Sequence, residues 1–500
     1  MKNRKNRFSV IVGSVILLVM LLISGTGHVN AQRLLTLDEA MEISMQNSPD
    51  IRRTQLDLER SRETLNARRA ALKSQFRLTL NPFTYSRDKT FNNFLSAWST
   101  SKDKQSQGTF SINQPIAQTD GTLSLINRLS WQDSYSDYND IRNKSFNNNL
   151  YLQFTQPIYT YNRTKMETEE LELDLETTIL SFAIQKLSLE LQVSQSFYNA
   201  YQNKLSLEIA IDDQKNREES YQIIKNKVDA GLVALEELYQ AELTRATSML
   251  SVQNAEVALE NSLDNFKVLI GFPITEAITV EVDVSSEPVE VDLDKAIDNA
   301  LKNRMELRQR SITLENAQNN IIRASAQNEF KGNINLSLGI IGTDEMFENL
   351  YDSPTNKQSI GISFEIPLWD WGEKKSRIKA SEASYERQKL SSEDEKTSII
   401  IGIRQTYRNL NRLANQIDIE RQRVRNAELT YEINLERYRN GDLTSMELNL
   451  LQTQLSQTRM GLVRALINYK QAILDMKIQS LWDFERNEPV IPEELNELSG

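Results

Sequence analysis

Leu152-Gln153-Phe154-Thr155-Gln156-Pro157-Ile158 and Ile362-Ser363-Phe364-Glu365-Ile366-Pro367-Leu368 are one phrase written twice, 210 residues apart. In each, apolar residues alternate with polar ones up to a proline, and an aromatic residue follows, Tyr159 or Trp369. Period two is the mark of a strand with one apolar face. Working outward, Ala230-Gly231-Leu232 with Glu237-Leu238 returns at the same offset as Asn440-Gly441-Asp442 with Glu447-Leu448. Upstream, Leu37-Asp38-Glu39-Ala40 before Asn47-Ser48-Pro49-Asp50-Ile51 returns as Leu293-Asp294-Lys295-Ala296 before Asn303-Arg304-Met305-Glu306-Leu307, now 256 residues on. The chain is an internal duplication. The change of offset leaves 46 more residues in the first half, between its opening helix and its Gln-Pro strand.

Each half reads as helix, strands, very long helix, glycine turn, long helix. Thr36 or Asp38 can cap the first helix. Ile334, Leu336, Leu338 and Ile340 alternate with Asn333, Asn335, Ser337 and Gly339, and Ile360 to Ile366 alternate in the same way. The first half offers Leu150, Leu152 and Phe154, then Phe76, Leu78 and Leu80, and weaker segments over Thr109 to Ile112 and Thr122 to Leu129. After each proline the period lengthens. Leu180, Ile184, Leu187, Leu191, Tyr198, Tyr201, Leu205 and Ile209 fall on steps of mostly three and four, a heptad-like stripe. No Pro or Gly lies between Asn162 and Ala230, and only Gly402 interrupts the stretch from Gly372 to Asn440. Such a helix runs on the order of 100 Å. It must lie beside others as a coiled coil, because it cannot wrap a compact core.

Two clear strands per half give about four per chain, or about six if the insert pairs, and a barrel whose interior side chains can fill needs about eight. Bare sheet edges are not tolerated in a membrane. The economical resolution is a barrel shared between several chains, apolar residues toward lipid and Asn, Ser, Gln and Thr toward a wet lumen. Trp98, Trp131, Trp369 and Trp371 lie in or beside the β segments, as do Tyr85, Tyr135, Tyr151, Tyr159 and Tyr161. Trp131, Tyr159, Trp369 and Trp371 are the candidate membrane-interface aromatics.

The amino terminus carries Lys2, Arg4, Lys5 and Arg7, then an apolar run from Phe8 to Ile23, then Val29-Asn30-Ala31. That order is a secretory signal peptide, cleaved after Ala31. The run is short for a membrane-spanning helix, and no later stretch is longer. There is no Cys, and the single histidine, His28, falls in the signal peptide. The mature chain therefore lacks Cys/His nucleophiles, Ser-His-Asp triads and the usual zinc ligands, and no cofactor is expected. The formal charge of −11 becomes −15 once four signal-peptide bases are gone, which disfavours nucleic acid as a partner. Acid pairs such as Glu169-Glu170 and Glu236-Glu237 have no accompanying nucleophile or metal cluster, so no catalytic residue is assigned.

On the Leu-x-Asp-Glu-Ala start at Leu35 to Ala40, the two strand-Pro-aromatic exits and the two glycine turns, the sequence resembles the TolC family of outer membrane efflux proteins over roughly 35–479. The resemblance implies a mainly α fold with membrane β structure. It consists of an internally duplicated long α-helical coiled-coil barrel and a transmembrane β-barrel of about 12 strands shared by a homotrimer. It also implies placement in the outer membrane with extension into the periplasm, a periplasmic adaptor, and an inner-membrane transporter of RND or ABC type. The expected organisation is a signal peptide at 1–31, a first repeat at 32–273 with β segments about 76–158 and a turn near 231, and an equatorial linker at 274–292. A second repeat follows at 293–481 with β segments about 331–368 and a turn near 441, then a C-terminal tail at 482–500. The insert at about 89–147 is either an external loop or an extra hairpin. By resemblance, Ala230, Gly231, Leu232, Asn440, Gly441, Asp442 and Leu443 are candidate adaptor contacts, and Glu447, Asp442 and Glu237 candidates for an acidic pore constriction. One family acid falls where this chain has Leu450. The expected function is a passive exit duct for efflux or type I secretion. The alternative is a periplasmic coiled-coil adaptor or scaffold without a pore, which would not need strands with one apolar face.

Overall fold

The computed structural model describes residues 33–93, 96–138, 140–282, 288–440, 442–490 and 492. The expected signal peptide, Val284 of the linker, Gly441 and most of the carboxy-terminal tail lie outside the described residues. In chain order the elements are β1 (Arg33–Leu35), α1 (Leu37–Asn47), α2 (Pro49–Ala71), β2 (Gln75–Asn92), β3 (Ala97–Ile116), β4 (Gly121–Ser136), β5 (Ile141–Ile158), α3 (Arg163–Asp229), α4 (Leu235–Ile270), β6 (Ile278–Val280), α5 (Leu293–Asn303), α6 (Met305–Ala326), β7 (Lys331–Asp344), β8 (Thr355–Glu365), α7 (Glu373–Arg439) and α8 (Ser445–Ser480). The architecture is mainly helical with one large sheet, as the duplication led us to expect. Among the described residues no helix is long and apolar enough to cross a membrane.

The helix starts follow local chemistry. Thr36 and Glu39 form a reciprocal capping box on α1. Pro49 then opens α2, where a missing N–H costs nothing. Asn162 accepts from the Lys165 amide at the head of α3, and Asp370 accepts from the Gly372 and Lys374 amides at the head of α7. Those two N–H donors hold the Asp370 carboxyl below its usual range.

The residues form two compact units. One comprises 33–53, 185–296 and 403–490. Its interior includes the α7/α8 contact of Leu410, Leu413, Ile417, Ala465, Tyr469 and Ala472. The Tyr469 hydroxyl accepts from the Val289 amide at 2.7 Å, so the end of the linker is pinned to that core. Phe197 of α3 meets Phe266 of α4 edge to face, both fully buried. β1 and β6 pair in parallel, Leu35 opposite Val280, both buried. The linker is thus partly a strand, paired with 33–35.

The other unit comprises 54–184, 297–402 and 492. Ion pairs lace its helices side by side: Arg68 to Glu167 at 2.7 Å, Arg69 to Glu172 at 2.9 Å, Arg310 to Glu395 at 2.8 Å, and Arg323 to Glu170. Arg308 bonds Glu176 through two nitrogens, which raises its already high pKa further. The sheet has six strands in the order β2-β3-β4-β5-β7-β8, every pair antiparallel. The insert is not an external loop but the extra hairpin, which adds strands to the sheet. It completes four strands of 16 to 20 residues. Its weak signal has a physical cause: Lys102, Lys104, Ser106 and Gly108 on β3 and Asn127 and Asp133 on β4 stand in line with Phe110 and Leu125, and Pro82 interrupts β2 at a bulge between Asn81 and Thr84.

Candidate functional site

Cross-strand partners share a face of a sheet, so the register defines two faces. One face carries Phe76, Leu78 and Leu80 on β2, Phe110 and Ile112 on β3, and Leu123, Leu125, Leu129 and Trp131 on β4. It continues through Phe146, Leu150, Leu152 and Phe154 on β5, Leu336, Leu338 and Ile340 on β7, and Ile360, Ile362 and Phe364 on β8. Many of these side chains are exposed; Ile360 keeps 79% of its surface. Each large apolar side chain held in water forgoes about 1.5–3 kcal/mol. A patch this wide therefore marks a surface meant for lipid or another chain. The opposite face carries Arg77, Thr79, Ser111, Asn113, Ser124, Arg128, Asn149, Gln153, Asn335, Ser337, Lys357 and Ser359. Among the described residues both outer strands, β2 and β8, keep one edge unpaired.

Of the aromatic candidates, Trp131 is half-buried opposite Phe146 at the end of the apolar face. Tyr159, Trp369 and Trp371 are exposed at the strand-to-helix junctions, Trp369 and Trp371 edge to face at 5.6 Å. Tyr159 lies 5.3 Å from Phe330, which stacks on Phe364.

The glycine turns close the helical hairpins α3/α4 and α7/α8. Gly231 has φ +68°, a conformation costly for residues with a Cβ. The Leu232 amide reaches back to the Lys227 carbonyl at 2.8 Å, and the Asp442 amide to the Arg437 carbonyl at 2.9 Å. These are the same helix-ending bonds, again 210 residues apart. Ala230 and Asn440 donate to the carbonyls of Asn226 and Glu436, while Leu232 and Asp442 are exposed and Leu443 is half-buried. Glu237 and Glu447 occupy the same third position of α4 and α8, yet their surroundings differ. Thr444 caps α8, and its amide and hydroxyl both donate to the Glu447 carboxylate, at 2.9 and 2.8 Å. They hold its pKa below the usual 4.5. The equivalent cap on α4 is Ala234, which makes no side-chain bond. Glu237 instead lines a cleft of about 480 Å³ with Arg217, Ile224, Thr444, Met446 and Leu450 among others.

The sequence reading missed Arg217 and Met446. Arg217 is an i+4 partner of Asp213 at 2.6 Å, a spacing visible in sequence, but its bond to Thr453 joins the two hairpins and was not. Lys227 over the Tyr438 ring, at 5.6 Å, is a second such link. Among the described residues no group of acids is placed to hold a metal ion.

Residues 296–477 match the family described as outer membrane efflux protein. The chain is 20% identical over 379 residues to outer membrane protein TolC of Escherichia coli (strain K12), covering 73% of this chain and 75% of that one. It is 22% identical over 329 residues to nodulation protein T of Rhizobium leguminosarum bv. trifolii, covering 63% and 68%. The fold is that of the Campylobacter jejuni CmeC outer membrane channel, with a TM-score of 0.70 at 14% identity over 93% of this chain and 88% of that one. With a duplicated helical hairpin, an amphipathic sheet and these matches, the chain is similar in sequence and fold to the TolC-like outer membrane efflux proteins.

Proposed function

We infer that the protein is a subunit of an outer membrane channel, the passive exit duct of a multi-component efflux or type I secretion system driven by an inner-membrane pump. It is a conduit in the outer membrane that extends into the periplasm, not an enzyme. The observation that carries this reading is the six-stranded sheet with one apolar face, one polar face and two open edges. Such a sheet is stable in lipid only when its edges close on other strands. A homotrimer satisfies that need. Six strands from each of three copies give eighteen, all antiparallel because β2 and β8 run in opposite directions. The family's number, about twelve, does not accommodate the β2/β3 hairpin. Barrel diameter grows roughly with strand number, so the bore is about half as wide again.

The hairpin turns at 230–232 and 440–443 are the proposed contacts for a periplasmic adaptor, which in turn meets an RND- or ABC-type transporter. Glu237, Asp442 and Glu447 are the proposed acidic constriction, three copies of each concentrating negative charge around one axis. Trp131, Tyr159, Trp369 and Trp371 are the proposed interface aromatics. A pore-free periplasmic scaffold leaves the apolar face without purpose. The test is membrane fractionation with unheated and heated gel mobility, followed by planar-bilayer recording. An outer-membrane trimer that conducts ions is expected, and a soluble monomer would overturn the assignment.

A further inference from the structure

Beyond the apolar face, on the side of the sheet away from the ends that join the helices, the charges separate by face. Register places Tyr85, Lys104, Asp133 and Lys144 on one rung, and Arg87, Lys102, Tyr135 and Arg142 on the next. These rungs continue the face that carries Trp131 and Phe146. The interleaved positions on the opposite face hold Asp88 and Asp103, with Ser86, Gln105, Gln132 and Ser134. Two adjacent rungs therefore carry five bases outward, and the one acid among them, Asp133, is held by Arg142 at 2.7 Å. Arg87 and Lys102 stand directly opposite each other, a like-charge pair that destabilises a bare sheet and is relieved by an anion. Lys102 lies 5.7 Å from the centre of the Tyr135 ring, and Lys89, just beyond, 5.4 Å from that of Trp98. Bases flanked by aromatics suit the headgroup level, where long stems lie on apolar surface and charges reach water.

We propose that these two rungs bind the phosphate groups of anionic lipids in the leaflet that meets this end of the barrel. The proposal rests on the channel reading, which turns the apolar face to lipid. All five bases are exposed and project beyond that face, so a headgroup phosphate anchored by its acyl chains arrives at their level. Each base near a charged lipid surface contributes a factor of about five in affinity.

The full-length protein in nonionic detergent is titrated, by native mass spectrometry, with a bis-phosphorylated glucosamine lipid and with the same lipid stripped of its phosphates. The phosphorylated lipid is expected to bind at least about tenfold more tightly. The combined variant K102Q/K104Q/K144Q should lose about tenfold or more of that binding, while K375Q/K379Q/K396Q on α7 should keep it. Arg142 is left in place so that Asp133 keeps its partner. Inorganic phosphate at matched concentration should not compete. Equal affinity for the two lipids, full binding by the first variant, or displacement by inorganic phosphate would each overturn the proposal. Ion conductance and oligomer mass of the same preparations report on the channel reading separately, and on the folding of the variants.

Discussion

Positions 237 and 447 show what one neighbouring residue decides. Both are glutamates at the third position of a helix, and the duplication makes them equivalent. Thr444 donates two hydrogen bonds to Glu447, whereas Ala234 offers Glu237 none from its side chain. The capping bonds favour the carboxylate, so their stabilisation is present in full above about pH 4.5 and is lost as pH falls through the lowered folded value. Replacing Thr444 with Ala should cost about 1 kcal/mol, and Ala234→Thr should stabilise α4 by a similar amount, both read from thermal unfolding. Glu447→Ala should reduce cation selectivity in single-channel recordings, and unchanged selectivity would remove Glu447 from the proposed constriction. The candidate glutamates were legible as a repeated pair. Their unequal surroundings were legible only in part: the Thr-x-x-Glu signature stands in the sequence, but the cleft around Glu237 is built by Arg217 and Met446 from separate helices.

At the level of elements, helix ends fix where the hairpins turn and dock. Gly231 and Gly271 end α3 and α4 with nearly the same backbone, φ +68° and +70°. Their settings are opposite. A Cβ on Gly231 meets open space, whereas one on Gly271 runs into the backbone carbonyl of Asn47 at the end of α1. Gly231→Ala should therefore cost only the left-handed penalty, about 1 kcal/mol. Gly271→Ala should cost clearly more and lower the unfolding temperature further, and equal losses would refute the close approach. The long helices were readable because a Pro- and Gly-free apolar period needs no partner to be recognised. The strands of the insert were readable only as weak segments, because Lys102, Lys104, Ser106, Asn127 and Asp133 interrupt the alternation on the apolar face and the bulge at Pro82 shifts the register.

At the level of the whole molecule, the six-stranded sheet changes the seam between copies. If three chains close one barrel, β2 of one copy pairs with β8 of the next, and opposed Cα atoms come within about 4.5–5.5 Å, inside disulfide range. The chain has no cysteine, so introduced pairs are unambiguous. Cysteines scanned over Arg77 and Thr79 on β2 against Ser359, Gly361 and Ser363 on β8 should yield a covalent trimer on non-reducing gels. A trimer linked instead from Ser124 or Arg128 of β4 to β8 would show that the β2/β3 hairpin stands outside the barrel. What the sequence determined by itself was the duplication, the long paired helices and the need for strands to be completed by other copies, since each follows from periodicity and chain length. Tertiary structure decided the strand count, the continuity of the apolar face and the alignment of five bases on two rungs. Those depend on register, which brings residues such as Arg87 and Arg142, far apart in the chain, to one level of the sheet.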